Sequence, residues 1–179
     1  MTDYSDRYDY SGDVRMSEIG EGAQARGYFT REECLEMVNW KSRGRQRRNA
    51  QRNSAEAIPT ATEVLVGSDD DRDWLRAMRG LHGVQIPTAS VFRHFTRRDC
   101  PILDRRALQA LGVDNPPRHY PLAFWDAFAT TCASLQEQGG VSFRILDRAM
   151  WAWSKLRGQA AERHLPPGAT PRIARPLVR

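Results

Sequence analysis

Apolar residues in this chain return at steps of three and four, and no stretch reads as a credible strand. The clearest run is Phe124, Trp125, Phe128, Cys132 and Leu135, opened by Pro121 and broken by Gly139 and Gly140. That spacing lays a stripe along one face of an α-helix, whereas a strand would need alternation. Other segments repeat the signal. Thr30 and Glu33 form a capping box ahead of Cys34, Leu35 and Val38, with Phe29 placed to staple onto Cys34. A helical stretch spans 53–66, with Asn53 and Glu56 as possible caps; Pro59 implies a kink or a late start. Trp74, Leu75, Met78 and Leu81 follow the loop at 67–71. Ala89, Val91, Phe92 and Phe95 follow Pro87, which fits a first helical turn. Asp104 is placed to cap a short helix through Leu111. Ser142 is placed to cap a last one carrying Leu146, Ala149, Met150, Trp153 and Leu156. The expected fold is all-α, with about seven helices in a core over residues 28–157.

The 179 residues suffice for one domain. No apolar run approaches the ~18 residues of a membrane span, and residues 1–27 lack the apolar stretch of a secretory signal. The three cysteines (Cys34, Cys100, Cys132) and four histidines show no metal-ligand spacing and no disulfide framework. A cytoplasmic protein with no metal and no cofactor is expected.

Charge is more informative. Only Lys41 and Lys155 are lysines among 27 basic residues; the rest are arginines, rigid forks suited to phosphate. Residues 1–27 hold six acids against three arginines, leaving +8 on the remainder. They read as a disordered acidic tail, and residues 158–179, rich in Pro and Arg, as a flexible basic one. Within residues 41–52 lie Lys41, Arg43, Arg45, Arg47, Arg48 and Arg52. Such a cluster is either a solvated surface or a phosphate contact.

Residues 81–111 carry the most specific pattern. Leu81, Gly83, Val84, Thr88 and Ala89 form the frame L-x-G-V-x-x-x-T-A, and Pro101-Ile102-Leu103-Asp104 follows, with Asp104 21 residues after Gly83. This resembles the helix-hairpin-helix DNA glycosylases, most closely the aspartate segment of adenine-specific mismatch glycosylases. The resemblance covers the hairpin (residues 74–95), the aspartate segment (101–111) and, loosely, the all-α plan. It implies a hairpin that binds a DNA phosphate through backbone N–H groups and through Gly83, Val84, Gln85 and Thr88. Duplex DNA would be the partner and the nucleoid the location. It also implies a catalytic carboxylate at Asp104 acting on a flipped base. Gln85 stands where the family has a second glycine, and Gly83 is expected in a turn needing positive φ or a close approach. Pro87 stands where bifunctional members carry a lysine, so a monofunctional enzyme is implied.

Trp40, Arg144, Trp151 and Lys155 are candidates for the wall of a base pocket. The plainer account of residues 142–155 is an amphipathic helix with an internal Asp147–Arg salt bridge. Two other readings stay open. One is a non-catalytic DNA- or protein-binding module on the same fold. The other is a phage-type transferase that modifies a base. An open, aromatic-walled cavity beside Asp104 would favour an enzyme, and a filled one a module.

Overall fold

The computed structural model of the chain describes residues 2–8 and 11–163. Among these residues there are helices and loops and no strand. The helices are α1 (Thr2–Ser5), α2 (Asp13–Arg26), α3 (Arg31–Ser42), α4 (Arg47–Ala50), α5 (Ala57–Gly67), α6 (Asp71–Arg79), α7 (Ile86–Arg97), α8 (Arg105–Ala110), α9 (Leu122–Gly139) and α10 (Phe143–Arg163). None is long and apolar enough to cross a membrane.

The core is built around α7, whose residues 88 to 96 are all buried. Helices α2, α3, α5 and α6 pack against it, while α10 packs on α1, α8 and α9. Phe92 meets Phe29 edge-on at 4.9 Å, and Trp74 meets Trp125 in the same manner at 5.6 Å. Both indole N–H groups donate to one carboxylate, Asp71, at 2.9 and 2.8 Å. A helix buried all round must satisfy its polar side chains internally. Arg93 donates to Asp99 and to the carbonyls of Leu65 and Ser68, closing the C-terminal end of α5. His94 bonds the Cys100 carbonyl through Nδ1 at 2.8 Å, and burial pulls its pKa down to about 4. No buried side-chain nitrogen or oxygen among the described residues lacks a partner.

The local signals place most elements. Thr30 and Glu33 close their reciprocal capping box on α3. Asp104 caps α8 by accepting from the Arg106 N–H at 2.8 Å. Pro59 falls in the first turn of α5, a late start relative to the predicted stretch from residue 53. Asn53 does not cap that helix. Its buried side chain instead clamps the hairpin loop, accepting from the His82 N–H at 2.7 Å and donating to the His82 carbonyl at 3.0 Å.

The N-terminal tail needs correction. Residues 13–26, expected to be disordered, form α2, with Met16, Ile19, Gly20 and Ala23 buried. Met16 and Ile19, with only a glycine and an alanine beside them, give a weak hydropathic stripe, and the helix is held by close packing instead. A Cβ on Gly20 would sit 2.1 Å from the Phe95 carbonyl oxygen, so α2 reaches α7 only because that side chain is absent. At the other end α10 continues to Arg163, past the expected limit at 157; the rest of the expected basic tail, residues 164–179, lies outside the described residues.

Two glycines one helical half-turn apart test this packing. Gly20→Ala should destabilise the protein by about 1–3 kcal/mol, because overpacking against a backbone carbonyl cannot be relieved by a rotamer change. Gly22→Ala meets only the Glu33 Oε1 at 3.9 Å and should stabilise by about 0.5–1 kcal/mol through helix propensity. Urea denaturation of both variants reads the difference; equal effects would mean that α2 does not dock on α7.

Candidate functional site

Asp104 ends the loop from α7 and begins α8. One carboxylate oxygen accepts from the Arg106 N–H, and the other lies 3.0 Å from the Lys41 ammonium, delivered by the last turn of α3. Burial works to raise the Asp104 pKa. The positive charge of Lys41 and the Arg106 N–H outweigh it, holding the carboxyl below its ordinary range. The result is an ionised carboxylate fixed at both oxygens.

This pair opens on a cleft of about 340 Å³, within the size range of small-molecule pockets. Its walls include Trp40, Trp151 and Tyr8, with Gly12, Ile102 and Arg43 among the other lining residues. Trp40 is fixed edge-on against Phe95 at 5.6 Å. Gly12 lies so close to the Trp40 indole that a Cβ there would come within 2.5 Å of Nε1. Trp151 meets the Tyr8 ring edge-on at 5.2 Å, with the cations of Arg106 and Lys155 each 5.2 Å from its centroid. A cavity lined by indole rings beside a fixed anion can hold a flat heterocycle. It can also stabilise positive charge that develops on an attached group.

Behind the cleft lies a buried ion cluster. Asp13, at the start of α2, accepts from both Arg144 and Arg148 on α10, each Nε at 3.0 Å. Arg144 also pairs with Asp147 one turn along its own helix. Asp147 contributes to the cleft wall, and burial pushes its pKa up to about 6 despite the Arg144 charge.

The basic segment and the hairpin, some 35 residues apart in sequence, form one surface. Gly83 has a φ of +78°, as the turn requires. Its missing side chain leaves room for the backbone of α4. A Cβ there would meet the Ala50 nitrogen at 2.9 Å and the Gln46 carbonyl at 3.1 Å. The close approach expected for a phosphate at Gly83 is thus taken by protein. Val84 and Thr88 are buried, so their side chains hold the hairpin together and offer DNA nothing. Gln85 is exposed. Pro87 has no N–H and the Thr88 N–H bonds the Gln85 carbonyl, but the amides of Gly83, Gln85 and Ile86 meet no acceptor among the described residues. Arg43, Arg45, Arg47, Arg48 and Arg52 are exposed and form no ion pair with any described residue.

The sequence-nominated residues therefore divide. Asp104, Lys41, Arg43, Trp40 and Trp151 meet at the cleft. Arg45, in the turn before α4, and Arg47 and Arg48 on α4 continue from it toward the hairpin. Arg144 lies among the buried ions, where its salt bridge to Asp147 matches the plainer account of α10. Lys155 is exposed and attends Trp151. Sequence reasoning missed Tyr8, Ser11, Gly12 and Asp13, which the N-terminal segment brings to the cleft, and the Lys41 tether of Asp104. Lys41 and Asp104 are 63 residues apart, so no local spacing in the sequence signals the tether.

Comparison of the chain with protein-family models, with curated proteins and with solved structures returns no match.

Proposed function

We propose that the chain is a DNA-binding, helix-hairpin-helix glycosylase-like protein that releases a flipped base through Asp104. The observation that carries this reading is the cleft: an ionised carboxylate tethered to Lys41, in an open cavity walled by tryptophans. The basic segment and the adjoining hairpin support it, because the arginines of residues 43–52, which form no ion pair with a described residue, run from the lip of the cleft to the hairpin. Duplex DNA lying on that surface would present an everted nucleotide to Asp104. The base would be bounded by Trp40 and Trp151, and the carboxylate would face the positive charge that builds on the sugar as the glycosidic bond lengthens. Asp104 then either stabilises that charge or orients the attacking water.

Lys41 serves here as the counter-ion of Asp104. Held in that pair it is committed to Asp104, and Pro87 carries no amine. The product should be an abasic site, broken only by alkali or heat, with no protein–DNA adduct trapped by borohydride.

The test is a panel of duplexes carrying damaged, mismatched and modified bases, with base release and binding both measured. Binding should weaken steeply with salt, the log–log slope falling by about 0.9 for each phosphate engaged. Binding without release from any duplex would leave a non-catalytic module. Absence of both would end the DNA reading.

A further inference from the structure

The outer face of α6 carries an arginine pattern that the cleft does not use. Arg72, Arg76 and Arg79 follow at steps of four and three, on the side opposite the buried Trp74, Leu75 and Met78. Arg72 lies 3.8 Å from Asp126 and beside the acidic start of the helix, so its charge is locally balanced. Toward the other end of α6 the balance changes. Arg76 meets only Asp73, at 3.5 Å and largely exposed, and Arg79 is exposed with no acid paired to it among the described residues. These two line a groove of about 270 Å³ together with Gly80, Gln85 and Leu122.

Gln85 joins this groove to the hairpin. Its neighbour two residues back, Gly83, packs on α4, which carries Arg47 and Arg48. The hairpin loop therefore has one basic element against Gly83 and a second beside Gln85. Isolated exposed arginines are ordinary, but two concave or clustered positive surfaces meeting at one loop whose amides meet no acceptor among the described residues suit an extended polyanion rather than a single ion.

We propose that the Arg76–Arg79 groove is a second backbone-binding surface for duplex DNA, engaging phosphates beyond those held by residues 43–52. It rests on the DNA-binding reading and extends the footprint from the cleft across the hairpin to α6. Its contribution is independent of sequence, since it offers guanidinium forks and no base-reading element.

The experiment compares wild type, Arg76→Gln/Arg79→Gln and Arg47→Gln/Arg48→Gln by fluorescence anisotropy on one labelled duplex of about 25 base pairs, across a range of salt concentrations. Thermal melting of each variant checks folding, which substitution of exposed arginines should leave unchanged. The groove variant should bind roughly tenfold more weakly at 0.1 M salt for each phosphate it no longer engages, and its salt slope should be shallower by about 0.9 for each such phosphate. A groove variant with wild-type affinity and slope, beside an α4 variant that loses both, would overturn this proposal and leave DNA binding standing. Wild type that binds no duplex would remove the DNA reading and this inference with it.

Discussion

Asp104→Asn is expected to lower base release by about two to three orders of magnitude on any duplex that wild type processes. Preorganised charge aimed at a developing ion is typically worth several kcal/mol. The substitution separates chemistry from architecture. Asn is also a good helix cap, and its side-chain oxygen can still accept from the Arg106 N–H that Asp104 engages at 2.8 Å. What disappears is the negative charge and its pair with Lys41. Stability should fall only modestly, by about 1 kcal/mol, and DNA binding should survive. Acidity adds a second signature. Because Lys41 and the Arg106 N–H hold the folded Asp104 pKa below its ordinary value, its contribution to stability is present above the unfolded carboxylate pKa. That contribution is lost only as pH falls through the depressed folded value. Activity that depends on the ionised form should persist into mild acid in the same way. Lys41→Met removes the dominant opposing charge, leaves burial to raise the carboxyl, and should shift the acid limb of the pH–rate profile upward. Equal release by wild type and Asp104→Asn would remove Asp104 from the chemistry. An unmoved acid limb in Lys41→Met would deny Lys41 its role.

What could be read in advance was whatever a few neighbouring residues decide. The Thr30–Glu33 capping box, the Asp104 cap, the late start imposed by Pro59 and the positive φ at Gly83 all follow from local backbone chemistry, and the fold places each where expected. The all-α class follows from apolar spacing, which needs no knowledge of partners. Interactions decided by distant partners were hidden. Lys41 and Asp104 are 63 residues apart, and Asp13 and Arg144 are 131 apart, so no spacing rule joins them. Gly83 shows both sides of this boundary. Its conformation was legible, but the surface filling the space above it was not. A phosphate and the α4 backbone make the same demand on a glycine. The N-terminal segment failed for another reason. Composition rich in Asp, Gly, Ser and Tyr describes a chain unable to build its own core, yet α2 needs only Met16, Ile19, Gly20 and Ala23 to dock on a core made by others.

Asp13→Ala is expected to cost about 3–5 kcal/mol, the range for removing one partner from a buried ionic cluster. The carboxylate of Asp13 is 7% exposed, and the Arg144 and Arg148 side chains that it receives are 15% and 19% exposed. Deleting it removes a shared counter-charge from two cationic groups that have surrendered most of their hydration, although Arg144 keeps its pair with Asp147. The local consequences should reach the cleft, since Gly12, the preceding residue, packs against Trp40, and Tyr8 packs against Trp151. Tryptophan fluorescence should therefore report a disturbed cleft wall under conditions where circular dichroism still reports a helical fold. Asp13→Asn keeps the shape and hydrogen-bonding oxygen and should recover part of the stability. If Asp13→Ala unfolds within 1 kcal/mol of wild type in urea, the N-terminal segment is not anchored through this cluster. The part of the cleft wall built by Tyr8, Ser11, Gly12 and Asp13 would then be a loosely held cover.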